Sequence, residues 1–105
     1  MFEFDKRRAV SYCEAWCDEY NQRGLSQDAG FWLAIGKLFD SESIEIDSSS
    51  LATARACCHS RYNLNIPEQL PETAKRALRI VKAEAEYLDQ CLAEIERKIA
   101  AQRWH

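Results

Sequence analysis

The sequence predicts an all-α fold, a four-helix bundle-like domain of residues 1–105 with a long C-terminal helix from about 71 to 103. Three observations predict it. Three Gly and two Pro in the whole chain are too little turn chemistry for a many-stranded sheet. Apolar residues recur at three- and four-residue spacing in four separate segments. Between those segments stand Gly24, the triple Ser48-Ser49-Ser50, and Pro67 with Pro71, all of them helix-boundary signals. With 47% hydrophobic residues, a chain of this length can bury a core without disulfides or metals.

The first helix is expected from about Asp5 to Arg23. Val10, Cys13, Cys17 and Tyr20 mark one face, and Ala9 and Trp16 widen it. Gly24 stands where a left-handed cap belongs, with Leu25 placed to touch Tyr20 in the Schellman manner. Ser26 offers an N-cap for the second helix, which runs through Phe39. There Phe31, Trp32, Leu33, Ile35, Leu38 and Phe39 occupy nearly every side, so burial on several sides at the centre of the fold is expected. Ala29, Gly30, Ala34 and Gly36 are small enough to admit a close neighbour.

From about 40 to 50 the helical pattern stops. Ile44 and Ile46 alternate with Glu45 and Asp47 as a strand would, but no partner strand is evident, so a short extended linker is expected. The serine triple then caps a third helix, Leu51 to about Tyr62, with Leu51, Ala54, Cys58 and Tyr62 on one face and Asn63 and Asn65 ending it. Pro67 and Pro71 bracket a turn, and Pro71 suits the first position of the last helix. Glu72 near its start and Arg97, Lys98 and Arg103 near its end complement the macrodipole.

That last helix would be roughly 50 Å long, more than a compact domain of this size needs. Leu78, Ala85, Leu92 and Ile99 fall at position a of a heptad, and Ala74, Val81, Leu88 and Ile95 at position d. Three shorter helices can cover about half of such a seam, and its far turns, ending in Ala100, Ala101 and Trp104, would be left bare in a monomer. The expected interface is Leu78, Val81, Ala85, Leu88, Leu92, Ile95, Ile99 and Trp104, and the expected partner is a second copy, as a C2 dimer. In a parallel dimer Glu84 would face Asp89 and Lys98 would face Arg103, so antiparallel helices are favoured.

The N-terminus lacks the apolar stretch of a secretory signal and no run is long enough to span a membrane, which predicts a cytoplasmic protein with no membrane partner. Five Cys without secretory context predict reduced, mostly buried thiols. Charge is uneven. Residues 1–47 carry ten acids and five bases, residues 48–82 two acids and six bases, and residues 83–105 five acids and three bases. The basic middle offers an anion-binding set of Arg55, His59, Arg61, Arg76 and Arg79, and with Lys75 and Lys82 a nucleic-acid alternative. The acidic total and the absence of a short helix-turn-helix connection weigh against that alternative.

Other constellations carry chemistry on paper. Cys13, Cys17, Cys57, Cys58 and His59 are soft ligand types, but no spacing among them is a zinc signature, so no metal or cofactor is expected. Glu42-Ser-Ile-Glu45 with Glu86-Tyr-Leu-Asp89 resembles the acidic pairs of the small all-α nucleotide pyrophosphohydrolases, which implies a Mg²⁺-dependent hydrolase as an alternative. The heptad frame, however, puts Glu86 and Asp89 at b and e, away from the seam. Arg55 and His59 look like the Arg-to-His motif of the HEPN-type helical ribonucleases, with a gap one residue shorter. Only His59 and His105 could serve a hydrolytic relay. No catalytic residue is assigned, and the expectation is a self-associating interaction or regulatory module.

Overall fold

The computed structural model describes residues 4–40 and 48–103. They form four helices: α1, Lys6–Gln22; α2, Ser26–Asp40; α3, Ser48–Tyr62; and α4, Glu72–Arg103. Among the described residues there is no strand, and no helix is long and apolar enough to cross a membrane. The all-α class and the long last helix are as expected. Most of the expected linker, with Ile44 and Ile46, lies outside the described residues. The chain divides into two compact units, Met1–Asp47 and Ser48–His105.

In the first unit, Asp5 caps α1 from an extended backbone, its carboxylate accepting from the Arg8 N–H at 3.3 Å. The other end closes as a Schellman motif. Gly24 is left-handed at φ +76°, its N–H bonds the Asn21 carbonyl, and the Leu25 N–H bonds the Tyr20 carbonyl at 2.9 Å. The Leu25 carbonyl at once accepts from Ala29, so Leu25 ends one helix and caps the next. Ser26 is therefore the first residue of α2 rather than its cap.

A three-residue connection returns α2 antiparallel along α1, bringing Lys6 to Asp40, Trp16 to Trp32 and Phe4 to Phe39. The deepest line on α1 is Ala9, Cys13 and Trp16, with Val10, Cys17 and Tyr20 flanking it at intermediate depth. On α2 it is Ala29, Trp32, Ile35, Gly36 and Phe39. Trp16 and Trp32 meet edge to face with centroids 4.3 Å apart, a favoured aromatic geometry. The expectation that α2 is buried on most sides is corrected. Leu33 is exposed, Phe31 and Leu38 are half-buried, and Gly30 and Ala34 lie on the open side. A helix with one partner in its unit buries one stripe, however apolar the rest of its surface. Of the two glycines in α2, Gly36 makes the close approach, since a Cβ built there would stand 3.2 Å from the Cys13 Cβ.

In the second unit, α3 begins at Ser48, three residues earlier than expected, so the serine triple forms its first turn. Leu51, Ala54 and Cys58 are buried on the expected face, and Tyr62 is half-buried at its end. A turn closes from the Leu70 N–H to the Pro67 carbonyl. The Pro71 carbonyl accepts from Lys75, which puts Pro71 in the cap position, one place before the one expected. Helix α4 then runs unbroken for 32 residues, about 48 Å.

The cross-helix partners give the register. Arg55 reaches Asp89 and Glu96, and His59 reaches Asp89, so α3 lies antiparallel against the C-terminal half of α4. The N-terminal half of α4, from Glu72 to about Ala85 and roughly 20 Å long, extends past the end of α3. Residues 63–71 span that distance through the Pro67–Leu70 turn, with Ile66 and Leu70 half-buried.

Candidate functional site

Two features of the second unit stand out: a polar cluster between α3 and α4, and the part of α4 that has no helix of its own unit beside it.

The polar cluster follows from helical spacing. Arg55 and His59 are one turn apart on α3, so their side chains emerge from one face, and the register sets Asp89 opposite both. Arg55 donates from Nε to Asp89 Oδ1 at 3.0 Å and from Nη1 to Glu96 Oε2 at 2.7 Å. His59 Nε2 lies 3.2 Å from Asp89 Oδ2. Asp89 is buried, at 8% exposure. Its hydrogen bond to Arg55, then that to Glu96, holds the guanidinium firmly charged, its pKa raised further above an already high value against a small opposing cost of burial. Tyr62 packs against His59 with the rings tilted at 47° and their centroids 5.0 Å apart. Its phenol is pushed above its ordinary pKa, first by desolvation and then by the charges of Asp89 and Glu86. Among the described residues no buried side-chain nitrogen or oxygen lacks a partner.

This cluster revises the expected roles of its members. Asp89, expected at a position away from the seam, is buried because α3 packs over that flank of α4, while Glu86 is exposed. Both Asp89 oxygens are engaged, so a Mg²⁺ ion there would have to displace Arg55 and His59; Glu42 and Glu45 lie outside the described residues. Of the anion-binding set, Arg55 and His59 face carboxylates, and Arg79 is paired with Glu72 at 2.7 Å. Arg61 is half-buried near the end of α3 and Arg76 is exposed on α4. The structure brings Arg55 and His59 together and leaves Arg76 and Arg79 on the other half of α4. Nothing in their spacing marked Glu96 as a partner; only the antiparallel register does.

None of the five cysteines is in a disulfide. Cys13, Cys58 and Cys91 are fully buried, and Cys17 and Cys57 are partly covered. Among the described residues no three His, Cys, Asp or Glu side chains are grouped to hold a metal ion. In the first unit, Lys6, Arg7, Val10, Ser11, Glu14 and Asp40 line an open groove of about 360 Å³. Its charges are mixed, and Lys6 pairs with Asp40 at 3.4 Å.

Along the α4 seam, burial is graded. Ala85, Leu88, Leu92 and Ile95 are buried, and Tyr87 and Cys91 beside them are buried as well. Towards the N-terminus, Ala74, Leu78 and Val81 are only half-covered, Ala77 is exposed, and Ile80 is 58% exposed. At the other end Ile99 is half-covered, Ala100 and Ala101 are exposed, and Trp104 lies outside the described residues. Comparison with protein-family models, with curated proteins and with solved structures finds no match.

Proposed function

We propose that this protein is an interaction module that self-associates through the N-terminal half of α4. One observation carries the reading: α4 has 32 residues and its helical partner α3 has 15, set against the C-terminal half, so the heptad seam continues for about four turns beyond that partner. Leu78 and Val81 are the large seam side chains of that stretch, both half-covered, and Ile80 beside the seam is 58% exposed. A half-covered apolar edge that continues a buried seam is the kind of surface a second helix covers.

The antiparallel orientation now rests on different grounds. Asp89 is engaged by Arg55 and His59, so its repulsion with Glu84 of a parallel partner no longer bears on the choice. Space does. Beyond about Glu86 the seam is occupied by α3, and a parallel second α4 would run into it. An antiparallel one continues past the start of the first helix instead, and lies end to end with α3 along one seam.

A four-turn contact buries well under the roughly 1,200–2,000 Å² of a stable interface, so a micromolar dissociation constant is expected. Light scattering coupled to gel filtration tests this. The mass should rise from the 12.1 kDa of one chain towards twice that value over tens to hundreds of micromolar. A constant 12.1 kDa across that range would end the proposal.

A further inference from the structure

We draw no further inference here: the strongest candidate, the open side of α2 where Leu33 is exposed beside Gly30 and Ala34, is an apolar surface patch for which nothing in the structure shows what covers it.

Discussion

The Arg55 guanidinium crosses from α3 to the buried carboxylate of Asp89 on α4, Nε to Oδ1 at 3.0 Å, and bonds Glu96 with its other arm. Removing Arg55 leaves Asp89 buried with His59 as its one remaining partner of the pair. Arg55→Met should lower stability by about 1–3 kcal/mol, less than for a fully buried pair because the Arg55 side chain is 31% exposed. The double variant Arg55→Met/Asp89→Leu should recover most of that loss, since no charge is then stranded. Urea denaturation of the two variants measures both effects. Equal losses in the single and double variants would show that the charge pair is not what matters.

Tyr62 gives the cluster a pH dependence at the alkaline end. Its phenol pKa is raised in the folded protein, first by desolvation and then by Asp89 and Glu86. The folded state therefore holds that proton more tightly than the unfolded chain does. The resulting stabilisation is fully present below the unfolded value of about 10 and is lost as pH rises through the folded value. Denaturation at a series of alkaline pH values should show wild type losing more stability than Tyr62→Phe, and difference absorbance should place one phenol above the usual titration. Identical pH profiles for the two proteins would refute the effect.

Two glycines of α2 predict opposite outcomes for the same substitution. Gly30 is exposed and a Cβ there meets nothing within 4 Å, so Gly30→Ala should gain about 1 kcal/mol from helix propensity alone. For a domain of this size that is a rise of about 4–8 °C in melting temperature. At Gly36 the new Cβ would stand 3.2 Å from the Cys13 Cβ, which is tied to the α1 backbone and cannot swing away. Overpacking of about 1–3 kcal/mol offsets or exceeds the propensity gain there. Gly36→Ala should therefore be neutral to destabilising in the same thermal melts.

Charge placed on the open half of α4 should block assembly without unfolding the chain. Leu78 lies on the seam and is only half-covered, so Leu78→Glu should keep the helical circular dichroism and weaken the dimer by about tenfold or more. Leu33, 48% exposed on α2, is the matched control, and Leu33→Glu should leave the dissociation constant unaltered. Equal behaviour of the two variants in light scattering would remove α4 from the interface.

Much of this molecule is legible from local chemistry. Gly24 after a helical stripe marked the end of α1 because a left-handed backbone is open to glycine at no steric cost. The eight a and d positions marked α4 as a single rod because only a continuous helix keeps that period in line. The buried face of α3 followed from three apolar residues at helical spacing. Caps were read one residue out at Ser26 and Pro71, where the deciding quantity is which carbonyl accepts the first helical bond.

Burial and partnership were decided only in three dimensions. The apolar count on α2 overstated its burial, since a side chain is covered by what stands opposite it rather than by its own character. Asp89 carries no local sign of burial. It is sheltered because α3 lies against that half of α4, and it is tolerated there because the same register delivers Arg55 and His59 to its two oxygens. The sequence by itself determined which stretches coil and which edge of α4 is apolar, both being properties of neighbours along the chain. Which turns of that edge are covered within the unit depended on the register of α3 against α4, a relation between residues about forty positions apart that no local pattern encodes.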